Sequence, residues 1–145
     1  MEIYTIGFAK KSAETFFGAL RKAGIKRLID IRLNNTSQLA GFTKRDDLKF
    51  FLKEICGAEY IHEPLLAPTA EILNSYKKKK TNWQQYEQRF LSLIAERKVE
   101  EKIDRSLFDS PTVLLCSETK AEHCHRSIVL EYLHKKWGNI KVTHL

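Results

Sequence analysis

The sequence predicts an α/β fold, in which a mostly parallel sheet of about five strands carries helices on both faces. Short apolar runs alternate along the chain with stretches whose apolar residues recur at helical spacing. Such alternation is typical of parallel sheets built from strand–helix–strand units. The chain has 145 residues, of which 43% are apolar, and we therefore expect residues 1–145 to form a single domain.

Five runs rich in apolar and β-branched residues are the predicted strands. Gly7 stops the first run, Pro64 follows the third, and Pro111 precedes the fourth, which is the most strand-like run of the chain. The predicted strands cover residues 3–6, 28–31, 59–62, 112–116 and 140–143.

The spacing of apolar residues between these runs predicts five helices. Ser12 is placed to cap the first helix, and Thr43 with Asp46 forms the expected capping pair of the second. Pro68 and Thr69 are expected to start a short third helix. The fourth and fifth helices are predicted from the apolar residues Trp83, Tyr86, Phe90, Leu93 and Ile94, and Ile128, Val129, Tyr132, Leu133 and Trp137.

The residues that follow each strand are the candidate site, because ligands of open α/β sheets bind outside the carboxyl ends of the strands. They are Gly7 and Phe8, Asp30 and Arg32, His62 and Glu63, and Cys116, Ser117 and Glu118. Residues 124–126, of sequence Cys-His-Arg, are predicted to form the first turn of the last helix at the same edge. Free backbone N–H groups and the helix dipole favour an anion there.

Cys116 and Cys124 are the candidate nucleophiles. Nearby cations or a helix N-terminus activate a thiolate, and Cys124 is better placed for a lowered pKa than Cys116. The competing interpretation is that both are packing or capping residues, since free cysteine is commonly buried. A protein-phosphatase loop is not indicated, because Glu122 and Leu130 stand where its arginine belongs, six positions after the cysteine.

Two carboxylates are the candidate acids and bases. Asp30 and Arg32 stand two apart, on one face of the predicted strand. Asp30 either moves protons or forms a structural ion pair with Arg32. Glu118 either moves protons or caps the turn that follows it. Both interpretations stay open for each residue.

The remaining candidates are expected to bind substrate, and one of them, His125, is also expected to move protons. They are His62, His125 and Arg126, together with Arg32, and for His62 the alternative is a hydrogen bond to a backbone carbonyl. A metal site that also draws on His123 is not expected. Zinc ligands usually come as spaced pairs, and the adjacent Cys124 and His125 cannot easily turn toward one ion.

The charge of the chain favours anionic partners. Lys and Arg number 25 against 18 Asp and Glu, which gives a formal net charge of +7. A positive surface attracts small phosphorylated molecules and nucleic acid alike. The four lysines at residues 77–80 are either a solvated helix end or a phosphate-binding surface. We expect an anionic small molecule as the partner, with nucleic acid as the alternative.

The sequence indicates a cytoplasmic protein without a membrane segment. No run approaches the roughly 20 apolar residues of a membrane span. Residues 1–7 predict a strand rather than a signal peptide. Three cysteines are an odd number, which suits free thiols in a reducing compartment.

A set of segments spread over nearly the whole chain is shared with one known family. The segments are residues 4–7, 28–32, 60–62 with Pro64, the region of Tyr86, 114–118 and 124–126. In these segments the chain resembles the domain of unknown function 488 family. That family usually has histidine and serine after the first segment, where this chain has Phe8 and Ala9, and Ser37 stands where a further serine is expected.

The resemblance implies an α/β fold and a shared polar edge, and it supplies no reaction. The residues of the implied edge are Asp30, Arg32, Cys116, Glu118, Cys124, His125 and Arg126.

These observations predict a small α/β enzyme that binds a phosphate-bearing or nucleotide-like anion at the carboxyl edge of the sheet. Cys116 or Cys124 is the expected nucleophile, and Arg32 and Arg126 are expected to hold the anion. Glu118, Asp30 or His125 are expected to move protons. The alternatives are a nucleic-acid-binding module and a thiol-based redox sensor. No cofactor is indicated.

Overall fold

The fold is that of a computed structural model, which describes residues 1–36, 38–118 and 124–145. Ser37, Glu122 and His123, all named above, lie outside the described residues. None of the described helices is long and apolar enough to cross a membrane.

Five parallel strands form one sheet in the order β3-β2-β4-β1-β5, which confirms the predicted α/β fold. Gly7 at the end of β1 pairs with Cys116 at the end of β4, and Asp30 at the end of β2 pairs with His62. The carboxyl ends of these strands therefore meet at one edge. The strands are β1 (Glu2–Gly7), β2 (Arg27–Asp30), β3 (Glu59–His62), β4 (Thr112–Cys116) and β5 (Lys141–His144).

The five predicted helices are all present, together with a short helix that was not predicted, Val99–Lys102. Ser12 and Thr69 cap their helices as expected, each accepting from a backbone N–H three residues on. The helices are α1 (Ala13–Lys22), α2 (Arg45–Phe51), α3 (Ala70–Lys77), α4 (Trp83–Arg97), α5 (Val99–Lys102) and α6 (His125–Trp137). A π-helical turn, Leu52–Cys56, continues α2, and 3-10 helices cover Gln38–Thr43, Pro64–Leu66 and Arg105–Phe108.

The predicted capping pair of Thr43 and Asp46 is wrong. The N-cap of α2 is Lys44, which makes no side-chain capping bond. Thr43 is instead buried, and both its hydroxyl and its carbonyl oxygen accept hydrogen bonds from Arg32. A buried guanidinium needs several acceptors, and Thr43 supplies two of them.

The two faces of the sheet carry separate apolar cores. One face packs against α1, α2 and the π-helical turn, through strand residues Ile6, Leu28, Val113 and Leu115. The other packs against α3, α4, α5 and α6, through Ile3, Ile29 and Leu114. Cys116 and Cys124 belong to this second core, so both candidate nucleophiles are packed on the face of the sheet that carries α4 and α6.

Candidate active site

The close approach of two loops at the carboxyl edge depends on Gly7. A Cβ on Gly7 would overlap the backbone carbonyl of Glu118, and it would lie 3.2 Å from Nη1 of Arg126. Because glycine has no Cβ, the segment after β4 can cross directly over the end of β1. This crossing brings Glu118 and Arg126 to the centre of the edge.

Cys116 and Cys124 lie side by side below this crossing. Their sulfur atoms are 2.7 Å apart, and their residues are 0% and 3% exposed. Cys116 is the last residue of β4, and Cys124 is the N-cap of α6. Neither forms a disulfide.

The two thiols have pKa values shifted in opposite directions. The hydrogen bond from Cys116 lowers the pKa of Cys124, and His125 and the backbone of Arg126 lower it further, while burial acts in the opposite sense. Burial, followed by the interaction with Cys124, raises the pKa of Cys116. The directions of the two shifts favour a thiolate at Cys124 beside a protonated Cys116.

Asp30 and Arg32 form a buried bidentate ion pair. Nε and Nη2 of Arg32 donate to the two carboxylate oxygens of Asp30, each at 2.8 Å. With the two bonds to Thr43, four of the five guanidinium N–H donors are used. The ring of Phe8 lies against the same guanidinium, 5.3 Å from ring centre to Cζ. Phe8 thus packs against the guanidinium of this ion pair.

Tyr60 completes the environment of Asp30. Its hydroxyl donates to Oδ2 of Asp30 at 2.6 Å and accepts from Nδ2 of Asn35 at 3.0 Å. Burial, and then the hydrogen bond to the Asp30 carboxylate, raises the pKa of Tyr60. The carboxylate of Asp30 is held by a tyrosine and an arginine and is 0% exposed.

His62 and His125 hold the backbone that follows β2. Nε2 of His62 lies 3.0 Å from the carbonyl oxygen of Arg32, and Nε2 of His125 lies 2.7 Å from that of Ile31. Because a carbonyl oxygen only accepts, Nε2 carries the proton in each ring. The alternative interpretation of His62, a hydrogen bond to a backbone carbonyl, is the one observed.

A cavity of about 130 Å³ opens at this edge. Its polar wall includes Arg32, Ser117, Glu118, Cys124 and His125, and Lys77 stands at one side. Its apolar wall is formed by Leu33, Pro68, Leu73, Tyr76 and Tyr86. The cavity thus offers reactive and charged groups on one side and aromatic rings on the other.

The predicted site residues fall into two groups around this cavity. Arg32, Glu118, Cys124 and His125 line it. The other four are not part of its described lining, and three of them, Asp30, Cys116 and Arg126, are 1% exposed or less. Cys116 contacts Cys124, and Asp30 contacts Arg32. Cys116 and Asp30 are therefore each one residue removed from the cavity.

Several residues near the site were not predicted. Nζ of Lys11 donates to the carbonyl oxygen of Gly7 at 2.7 Å, and His144 is hydrogen-bonded to Thr5. Burial, followed by the charge of Arg126, lowers the pKa of Lys11 and of His144. His144 directly follows the predicted fifth strand, residues 140–143, so its place at a strand end is the signal that indicates it. Tyr76 and Tyr86 come from helices, where no such signal applies.

Within residues 1–36, 38–118 and 124–145, no three or more His, Cys, Asp or Glu side chains are grouped so that they could hold a metal ion. The model of one protein family, described as Domain of unknown function DUF488, matches residues 12–133. Neither a curated protein nor a solved structure matches the chain significantly.

Proposed function

The chain belongs to the family described as Domain of unknown function DUF488, a description that names no reaction, and we propose a function from the geometry of the site. The protein is a cysteine-dependent enzyme that acts on a small anionic substrate at the carboxyl edge of the sheet. The observation that carries this proposal is the position of Cys124. Cys124 is the N-cap residue of α6 and lines the cavity, and its sulfur lies 2.7 Å from that of Cys116, an interaction that lowers the pKa of the Cys124 thiol.

Three features support an anionic substrate. The first turn of α6 begins at the cavity, and its N-terminal dipole favours negative charge. Lys77 is exposed and lines the cavity, where it supplies a positive charge, whereas the charge of Arg32 in the wall is already paired with Asp30. The cavity of about 130 Å³ is smaller than the roughly 300–1,000 Å³ of a typical ligand pocket. It therefore suits a small anion, or one anionic end of a larger molecule.

The residues take distinct roles in the proposed reaction. Cys124 attacks the electrophilic centre of the substrate, and Cys116 holds the thiolate in place with its S–H group. Glu118 is exposed and lines the cavity, where it protonates the leaving group and then activates water. Asp30 is a positioning residue, because its carboxylate fixes Arg32 and has no exposed surface.

Alkylation with a charged and a neutral reagent tests the proposal without knowledge of the substrate. Iodoacetate and iodoacetamide react with the same thiolate, but only iodoacetate carries a negative charge. We expect the ratio of the iodoacetate rate to the iodoacetamide rate to be at least about threefold higher at Cys124 than at free cysteine. One nearby positive charge contributes up to about 1 kcal/mol to the approach of the anionic reagent. The Cys56→Ser background removes the third thiol. Phosphate or AMP should slow the alkylation of Cys124, because these anions would compete for the same cavity.

The matched variants are Lys77→Ala and Lys78→Ala. Both remove one exposed lysine from the end of α3, but only Lys77 lines the cavity. Lys77→Ala should lower the preference for iodoacetate, and Lys78→Ala should leave it close to that of the parent. If Cys124 reacts only after unfolding, or shows no preference for the anionic reagent, the proposal is wrong.

Nucleic acid is the second candidate partner, because the lysine run adjoins the site. Lys77, Lys79 and Lys80 border a second depression together with Tyr76 and Asn82. Tyr76 and Lys77 line both this depression and the candidate active site. A phosphate chain along the lysines would thus reach the cavity that holds Cys124.

A further inference from the structure

The arrangement of Cys116 and Cys124 fits a second kind of chemistry. Their sulfur atoms are 2.7 Å apart in the free thiol state. A disulfide bond is about 2.0 Å long, so bond formation requires the sulfur atoms to approach by less than about 1 Å. One cysteine ends a strand in the core and the other caps a helix, so neither has to leave its element to reach the other.

The two cysteines also differ in their access to small molecules. Cys124 lines the cavity, whereas Cys116 is 0% exposed and lies behind it. A reagent that enters the cavity therefore meets the thiolate first and the protonated thiol only afterwards. This difference in access suits a pair in which Cys124 reacts with the incoming molecule and Cys116 then reacts with the modified Cys124.

We propose that Cys124 and Cys116 reduce small hydroperoxides, with Cys124 as the attacking residue and Cys116 as the resolving residue. This inference rests on the proposed function only in using the same Cys124 thiolate.

The chemistry balances in three steps. The Cys124 thiolate attacks the terminal oxygen of the hydroperoxide, the O–O bond breaks, and the departing alkoxide takes a proton from solvent to leave as an alcohol, or as water when the substrate is hydrogen peroxide. The Cys116 sulfur then attacks the sulfenic sulfur of Cys124, and the S–S bond forms as the S–O bond breaks. The departing hydroxide combines with the Cys116 proton and leaves as water. Two molecules of a small thiol restore the pair and become a disulfide themselves.

The cavity favours hydroperoxides over disulfides as the oxidant. Cys124 is 3% exposed, and among the described residues it lines a cavity of about 130 Å³, through which a small molecule can reach its sulfur. Thiol–disulfide exchange requires the attacked disulfide to lie in line with the thiolate, and a peptide disulfide such as oxidised glutathione is too large for this space. A small hydroperoxide presents a terminal oxygen and fits.

The test uses the full chain with Cys56→Ser, so that only Cys116 and Cys124 remain. One equivalent of hydrogen peroxide should reduce the number of free thiols from two to none, measured after denaturation. The intact mass should fall by that of two hydrogen atoms, and dithiothreitol should reverse the change. Oxidised glutathione at the same concentration should react at least about tenfold more slowly.

Two further variants assign the roles. Cys116→Ser, which keeps a hydrogen-bond donor beside Cys124, should leave a sulfenic acid that dimedone traps at Cys124. Cys124→Ser should leave Cys116 in its thiol form, because that sulfur is protonated and enclosed. The parent chain provides the internal control, since Cys56 lies in the other apolar core and should remain a free thiol.

Four outcomes would overturn the proposal. In the first, peroxide oxidises Cys124 to a sulfinic acid while Cys116 remains a free thiol, and in the second, oxidised glutathione reacts as fast as peroxide. In the third, oxidation begins at Cys116. In the fourth, iodoacetate alkylates Cys124 but peroxide leaves it unchanged. The last outcome leaves the proposed function standing. A Cys124 that resists both reagents in the folded chain contradicts both proposals.

Discussion

The backbone carbonyl of Glu118 occupies the space above Gly7 that a Cβ would need, and the guanidinium of Arg126 borders the same space. The end of β1 and the loop after β4 are therefore packed backbone against backbone. The position of Glu118, and with it one wall of the cavity, depends on a residue that carries no side chain.

Gly7→Ala should therefore destabilise the protein and disturb the site. The new methyl group would meet backbone, which cannot rotate away, so we expect a loss of about 1–3 kcal/mol in the free energy of unfolding. Urea unfolding measures the loss, and alkylation of Cys124 should change in rate. Gly18→Ala is the matched control, because Gly18 lies in α1 with open space around its Cβ position, and alanine there should stabilise by about 0.5–1 kcal/mol. Equal effects of the two substitutions would contradict the packing described here.

The alkylation rate of Cys124 should depend little on pH. A thiolate with a lowered pKa is already formed in mildly acidic solution, so its rate should vary by about twofold at most between about pH 5.5 and 8. Free cysteine, with a pKa of about 8.5, gains thiolate roughly 200-fold over the same range. Alkylation reactions that are quenched at timed intervals and analysed by mass spectrometry give the pH profiles of Cys124 and of free cysteine.

Cys116→Ala should shift that profile to higher pH. The hydrogen bond from Cys116 is the largest cause of the lowered pKa of Cys124, and alanine removes it. Cys116→Ser keeps a donor, so its profile should lie between those of the parent and the alanine variant. A profile that both substitutions leave unchanged would show that Cys116 does not stabilise the thiolate.

Asp30→Asn should cost more stability than Tyr60→Phe. Loss of the Asp30 charge leaves the Arg32 guanidinium buried without its partner, which costs about 3–5 kcal/mol. Tyr60→Phe removes one hydrogen bond to the same carboxylate and should cost about 1–2 kcal/mol. Chemical unfolding of both variants and of the double variant measures the coupling, and additive losses would argue against a shared network.

Replacement of the lysines at 77–80 by alanine tests the nucleic-acid hypothesis. If these lysines bind phosphates, the affinity for single-stranded nucleic acid should fall steeply with salt, and the salt slope should decrease by about 0.7 for each phosphate that is no longer neutralised. Lys135→Ala with Lys136→Ala serves as the control, since these lysines lie at the far end of α6. Binding that is undetectable at low salt, or a slope that both sets of substitutions change equally, would contradict the hypothesis.

The sequence predicted the sheet more accurately than the site. β3 and β4 have the predicted bounds, because Pro111 directly precedes β4 and Pro64 lies two residues after the end of β3. The role of Thr43 could not be predicted, because it depends on a guanidinium eleven residues away that needs acceptors in the core. The contact between Cys116 and Cys124 likewise depends on how tightly the loop after β4 crosses β1. Sequence spacing places both cysteines at one edge, but it does not give the distance between their sulfur atoms, which depends on three-dimensional packing.

The position of β1 in the sheet has a consequence for synthesis on the ribosome. β1 is made first, yet its two neighbours are β4 and β5, which begin at Thr112 and Lys141. More than a hundred residues must therefore be synthesised after β1 before either of its pairing partners exists. Pairing between such distant segments slows folding. Cys116 is translated late and meets Gly7 only when this pairing forms. Until then both cysteines are ordinary exposed thiols, so the nascent chain acquires its thiolate only as the centre of the sheet closes.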